Sequence, residues 1–275
     1  MKRLDTVRSR PGMLRLVTLA VLAALVTGTA ALGFAQQRGR GGYYGACAFD
    51  VNACERAPYD GRFTFLRVYF DARGGGGFGG GGEPAWHHDK PNAERNLSSI
   101  LREISTMRTF DGETGGNATR LTDPELFRHP IIWMAEPGYW QPTDEEVAAL
   151  RAYLLKGGFI IFDDFSGSHW YNFQAQMLRV LPELQPIEMD GSEPIFDAFF
   201  EITPNDLRLS DFSRQVPTYL GLFEDNDRTK RQLAMINYNN DVGEYMDYEP
   251  QGFLPVGSNE AYKLGVNYII YALTH

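Results

Sequence analysis

Apolar residues along this chain fall into short dense runs separated by segments of helical period, and the order of those runs predicts the architecture. FTFLRVYF at 63–70, PIIWMAE at 130–136 and GFIIFDDF at 158–165 are apolar at successive positions, the pattern of strands covered on both faces. Between the first two, AERNLSSILREISTM at 93–107 places Leu97, Ile100, Leu101 and Ile104 at helical spacing behind Pro91 and Asn92. TDEEVAALRAYLLKGG at 143–158 opens with a capping box from Thr143 to Glu146, carries acids in its first turn and stops at Gly157 and Gly158. WYNFQAQMLRVLP at 170–182 repeats the helical period. Strands apolar on both faces that alternate with such helices predict an α/β fold, a three-layer, doubly wound and mostly parallel sheet of flavodoxin-like type. Toward the C-terminus, TYLGLF at 218–223 and QLAMINY at 232–238 flank the turn-rich EDNDRTKR, which predicts an antiparallel hairpin at a sheet edge. A helix over 261–275, with Leu264, Tyr268, Ile269 and Leu273 on one face, closes the domain.

The N-terminus carries a different signal. Lys2, Arg3, Arg8, Arg10 and Arg15 precede the apolar LVTLAVLAALV at 16–26 and the small residues TGTAALGFA at 27–35, the order of a secretory signal peptide. Gly33 with Ala35, or Gly28 with Ala30, gives a small-x-small cleavage site. The mature protein is therefore expected outside the cytoplasm, in the periplasm or secreted. If 16–35 were not cleaved, its roughly 20 residues would serve as a membrane anchor. Residues 36–61 read as a flexible Gly- and Arg-rich lead, and 62–275 as a single domain. The lead contains both cysteines, Cys47 and Cys54, which an oxidising compartment would join in a local disulfide.

Composition adds bounds. With 43% hydrophobic residues the chain can bury one sizeable core, and 35 Asp plus Glu against 26 Lys plus Arg give a net charge of −9. Such a surface repels phosphate backbones, so no nucleic-acid partner is expected. The glycine loop RGGGGFGGGGEP at 73–84 is followed by WHHDKPN rather than by Lys and Ser or Thr, so it is not a phosphate loop. His87 and His88 could ligate a metal with Asp89, but adjacent histidines splay apart, and a loop role is expected for them. For Trp86, Trp133, Trp140 and Trp170, burial is expected over sugar stacking.

In an open parallel sheet, ligands bind beyond the carboxyl ends of the strands. The candidate residues are therefore those that leave each strand: Glu136 and Gly138 after the second run; Asp163, Asp164, Ser166, Gly167 and His169 after the third; Asn237, Asn239 and Asp241 after the last. Asp163 and Asp164 are adjacent and on a strand point to opposite faces, so one of them is expected to be structural. Carboxylates here could hold a divalent cation with side-chain amides. The same residue types also cap helices and tie loops, and that reading is the simpler of the two. Ser166 before Gly167 suggests a nucleophile elbow, yet Asp164 stands where G-x-S-x-G has its first glycine.

Several blocks resemble one family. FTFLRVYF, the W-x-x-D-K-P-N-A-E-R-N-L pattern of 86–97, TDPELF at 122–127, MAEPG at 134–138, LLKGGFIIFDDFSG at 154–167, PIFDAFF at 194–200, INYNNDVGE at 236–244 and the C-terminal YKLGVNYIIYALTH are similar to the bacterial domain-of-unknown-function 4159 family. The likeness covers essentially everything after Arg62. It implies a fold like that of class I glutamine amidotransferases, in exported or envelope-associated proteins with no established activity. In that fold a nucleophilic cysteine follows the strand corresponding to the one ending at Asp163 or Asp164, and neither cysteine here lies near it. Where the resemblance implies D-D-F-H-G, this chain has Ser166 in place of the histidine, so a role for that histidine does not carry over. The expectation is an extracytoplasmic domain that binds a polar ligand or an envelope protein at the strand-end rim, with no catalytic residue assigned and no organic cofactor. The alternative is a hydrolase that uses Asp164, His169 or a cation to activate water.

Overall fold

The computed structural model describes residues 46–54, 56–71, 82–203, 206, 215–247 and 257–275. The export segment, residues 36–45 and 55 of the lead and most of the glycine loop lie outside the described residues. Seven strands form one sheet in the order β2-β1-β3-β4-β7-β6-β5: β1 Phe65–Val68, β2 Gly116–Thr119, β3 Ile131–Ala135, β4 Phe159–Phe165, β5 Ile187–Glu188, β6 Thr218–Phe223 and β7 Gln232–Tyr238. From β2 through β7 the neighbours are parallel, whereas β6 and β5 run antiparallel. The five parallel strands, in the order β2-β1-β3-β4-β7, follow the 2-1-3-4-5 order of a flavodoxin-like sheet, which leaves a crossover reversal between β1 and β3.

Six helices accompany the strands: the short turn α1 Ala46–Phe49, α2 Asn92–Ile104, α3 Asp144–Leu155, α4 His169–Val180, α5 Val242–Asp247 and α6 Ser258–Thr274. Strand residues alternate between two cores, as period-2 geometry requires. Ile132, Met134, Ile160, Phe162, Ala234 and Ile236 pack with Leu150, Leu154, Phe173 and Met177 of α3 and α4. Ile131, Trp133, Phe159, Ile161 and Met235 pack with Leu97 and Leu101 of α2 and Leu264 and Tyr268 of α6. This makes three layers. The capping box of α3 is present, with Thr143 Oγ1 accepting from Glu146 N and Glu146 Oε2 accepting from Thr143 N.

Three features differ from the sequence-based expectation. The β6–β7 hairpin is not the sheet edge: β7 lies against β4, and the two-residue β5 lies outside β6. The strand β2, GNAT, carries no apolar run and adds to β1 on the other side. Residues 46–54, expected in a flexible lead, are tied into the core, because Ala48 and Val51 are buried and Trp86 Nε1 donates to the Ala48 carbonyl. The structure joins Cys47 to Cys54 within this segment. Trp86, Trp133 and Trp140 are buried, and Trp170 packs on Phe165 and Tyr238. Among the described residues no helix is long and apolar enough to cross a membrane.

Candidate functional site

The strands β1, β3, β4 and β7 end at one rim, and each sends acidic or histidine side chains into it. After β1 the chain returns through a turn at Ala85–His87 that delivers His88 and Asp89. β3 ends at Glu136, β4 carries Asp163 and Asp164, and β7 leads through Asn239 and Asn240 to Asp241 and α5. His88 lies at the centre. Its Nδ1 is 2.6 Å from Asp164 Oδ2, 3.6 Å from Asp89 Oδ1 and 3.9 Å from Glu136 Oε1. Asp241 lies within electrostatic reach of Asp164 and adds its charge to His88, as Glu244 does.

The adjacent aspartates divide the two roles anticipated for them. Asp163 is fully buried and accepts hydrogen bonds from Asn237 Nδ2 at 3.0 Å, Val242 N at 3.2 Å and Gly243 N at 2.8 Å, so it fastens the start of α5 to β4. Between Phe162 and Phe165 the pairing of β4 with β7 shifts register, and Asp164 sits in that irregularity at φ 60°. A bulge re-aims a side chain that strict alternation would send elsewhere, and here it turns Asp164 toward His88. Asp241 does both jobs: its Oδ1 accepts from Glu244 N at 2.8 Å, capping α5, while the carboxyl meets Asp164.

Backbone strain is concentrated at this rim. Asp89, Glu136 and Asp164 have φ of 63°, 47° and 60°, the left-handed region that costs a side-chain-bearing residue about 1–3 kcal/mol unless its surroundings enforce it. The packing is also close. A Cβ on Gly243 would lie 2.5 Å from Asp89 Oδ2, so the carboxylate reaches its place only because residue 243 is a glycine. Beneath the rim, Arg67 on β1 is buried and pairs through Nε with Glu94 Oε1 of α2 at 2.7 Å. Its guanidinium also donates to the His88 carbonyl, which fixes the loop that carries His88 and Asp89.

Electrostatics follow from burial and crowding. Burial opposes a charge on His88, but Asp89, Asp241, Glu136 and Glu244 outweigh it and lift the imidazole to about 9. Burial lifts the Glu136 carboxyl to about 7 against the pull of His88. Asp164 is raised well above the carboxylate range by burial and then by Glu136 and Asp163; Asp241 is raised by burial and then by Asp164 and Asp163. Asp89 is raised likewise, by burial and then Asp241. Two buried carboxylate oxygens, Asp89 Oδ1 and Glu136 Oε2, accept no hydrogen bond.

The other anticipated residues lie around this pocket. Asn237 holds Asp163 and takes a hydrogen bond from Tyr268, and Asn239 Oδ1 accepts from Gly167 N. Gly138 gives way to His169, whose Cβ lies 2.4 Å from where a glycine side chain would start, and His169 packs edge-on against Tyr139. Burial lowers the His169 pKa. Ser166 is exposed, and the bond that joins it to His169 is between backbones, from His169 N to the Ser166 carbonyl at 3.1 Å; among the described residues no side-chain hydrogen bond links the hydroxyl to the imidazole, so the nucleophile-elbow arrangement is not formed. His88, Asp89 and Glu244 complete the pocket without having been singled out as its members. The adjacent histidines do splay apart, His87 turning to Glu83 at 2.9 Å, and it is this divergence that brings His88 by itself to the rim.

Fold and rim together define a three-layer α/β protein with a histidine and several carboxylates gathered at the strand ends, beside the β1/β3 crossover reversal. The family model of a domain of unknown function (DUF4159) matches residues 77–273, and the chain belongs to that family. A comparison with curated proteins gives no match.

Proposed function

We propose that the protein is an exported domain that holds a divalent cation in the strand-end pocket and through it binds a polar, oxygen-rich ligand or an envelope partner. One observation carries the reading: Asp89 Oδ1 and Glu136 Oε2 are buried without donors, facing one imidazole in company with three further carboxyls. Buried acceptors of that charge are normally satisfied, and a cation satisfies several at once. The mixture of carboxylates with one imidazole suits manganese, magnesium or zinc better than a soft-ligand metal. Strain at three of the residues that carry these groups is further support, since such conformations gather where function requires them. The basic, apolar and small-residue order of 1–35 supports export.

Metal-depleted protein should show a higher melting temperature when Mn2+, Zn2+, Mg2+ or Ca2+ is added, because a ligand that binds only the native state stabilises it. His88→Ala should remove that response. If none of the four ions raises the melting temperature and protein purified from its host carries no metal, the reading falls. Intact-mass analysis of the exported protein should show that roughly the first 30 to 35 residues are missing; retention of Met1 would favour an anchor.

A second reading is hydrolysis by cation-bound water. It is favoured by the exposure of His88 and Asp164, 23% and 12% of their side chains, against 2% for Asp89 and Glu136, which puts the wet side of the pocket next to a carboxylate. Metal-dependent turnover of activated phosphate or carboxylic esters, lost in Asp164→Asn, would support it, and no metal-dependent turnover across such a panel would remove it. Glutamine hydrolysis is not expected, since the strand-end turn presents Asp164, Phe165 and Ser166 where a thiolate would be needed.

A further inference from the structure

The cation reading leaves open how many ions the pocket takes, and the arrangement of its donors bears on that number. The donor atoms fall into two groups, each with all members within 4.8 Å of one another: His88, Asp89, Asp241 and Glu244 in one, and His88, Glu136 and Asp164 in the other. They do not merge into a single group. Ligands of one Mg2+ or Zn2+ ion lie on a sphere of radius about 2.0 to 2.2 Å, hence within about 4.4 Å of each other, so one such ion cannot take the whole set where it stands.

Each group also includes a residue with a buried carboxylate oxygen that accepts no hydrogen bond, Asp89 through Oδ1 in the first and Glu136 through Oε2 in the second. An ion placed in either group alone leaves the other orphan as it was. Between the groups, Asp164 of the second is near enough to Asp241 of the first for its charge to raise that carboxyl, so the two sets share a seam lined by carboxyls.

Charge points the same way. Five carboxylates, from Asp89, Glu136, Asp164, Asp241 and Glu244, surround one imidazole. With all five ionised, one divalent ion would leave three negative charges for protons to neutralise in a largely buried space, and two ions would leave one; like charges so close repel strongly even at a moderate effective dielectric constant.

We propose that the pocket holds two divalent cations side by side, one among Asp89, Asp241 and Glu244 and the other between Glu136 and Asp164, with His88 at their junction. This rests on the cation reading above. A neutral imidazole donates one lone pair, so His88 ligates one of the two, and the second is held by carboxylates and water. The two ions are therefore unequal, and they should bind in two steps.

The test uses the full mature chain with its disulfide, stripped of metal and titrated with Mn2+. Native mass spectrometry and calorimetry should each give two ions per chain, and the electron paramagnetic resonance spectrum at saturation should be that of a spin-coupled pair. Glu136→Gln and Glu244→Gln should each reduce the stoichiometry from two to one and abolish the coupled signal. Circular dichroism melts will show whether each variant is folded, and the wild-type spectrum decides the matter without them. One ion per chain with an uncoupled six-line spectrum would overturn the two-ion inference and leave the cation reading standing. No bound Mn2+, Mg2+, Zn2+ or Ca2+ at all would overturn both.

Discussion

Among the described residues, left-handed non-glycine backbone falls in the β6–β7 turn and at the strand-end rim, where Asn239 at φ 58° accompanies three acids, and the acids use it for an end opposite to that of the turn. In the β6–β7 turn, Asp225 and Asn226 have φ of 54° and 56°. There Asn226 accepts from Gln185 N and donates to the Glu183 carbonyl, Asp225 pairs with Lys230, and both residues face solvent. At the rim, Asp89, Glu136 and Asp164 adopt the same conformation, yet two of the three keep a buried oxygen without a donor. The turn needs the conformation to reverse the chain, and its side chains are satisfied locally. At the rim the same conformation brings like charges together, which a self-contained fold has no reason to do. Strain that is locally repaid marks a turn, and strain that assembles unsatisfied charge marks a site.

The contrast can be broken from several directions. The largest expected effect lies just beneath the rim. Arg67→Met strands the Glu94 carboxylate in the core and should destabilise the protein by about 3–5 kcal/mol, measured by urea melts. Because Arg67 also holds the His88 carbonyl, a loss under about 1 kcal/mol would show that the pair does not order the rim.

Next come the neighbours Asp163 and Asp164. Asp163→Ala leaves two backbone N–H groups and Asn237 without their acceptor and should cost about 1–3 kcal/mol in the metal-free protein. Asp164→Asn keeps the shape and tolerates φ near 60°, so it should leave the metal-free protein at least as stable as the wild type while weakening cation binding by about 100-fold or more. If the two substitutions exchanged effects, the assignment of cap and ligand would be reversed.

The third effect is a pH dependence. Glu136, at about 7, and His88, at about 9, are both raised above their unfolded values. A raised group stabilises the fold fully below its unfolded pKa and loses that contribution as pH climbs through the folded one. Metal-free protein should therefore melt at progressively lower temperature as pH rises from about 6.5 to 9. Over this range His129 and His169, which burial lowers from 6.5, are already neutral and do not oppose the trend. Saturating cation should flatten the profile by taking over from the protons. A rising profile in the metal-free protein would contradict the crowding of charge at the rim.

The smallest effect belongs to the hairpin. Asp225→Gly relieves the left-handed residue at the expense of the Lys230 pair, so stability should change by less than about 1 kcal/mol, and cation binding should not change. Altered binding in that variant would tie the hairpin to the rim.

The principal strands and helices were legible in the sequence because their signals are local. The runs at 130–136, 158–165 and 232–238 are apolar on consecutive positions, and the capping box at Thr143 needs only four residues to declare itself. The strand β2 is not legible because GNAT, although three of its four residues are buried, has no apolar run to show. The helix α5 was missed although Asp241 stands three residues before Glu244, a start signal too short to outweigh the glycine beside it.

Sequence by itself determined the layers, the mostly parallel sheet and the strand ends from which Glu136, Asp164 and Asp241 emerge, since apolar period and the geometry of parallel strands settle these matters. Only the tertiary structure decided which of two adjacent aspartates faces the pocket, because a register shift between β4 and β7 is a property of two strands, not one. It also brought His88 and Asp89 against Asp164, some 75 residues away, through a loop held by Arg67 from below and left room by Gly243 alongside. Those contacts follow from where separate elements pack, and side-chain packing at long range leaves no periodicity in the chain from which to read it.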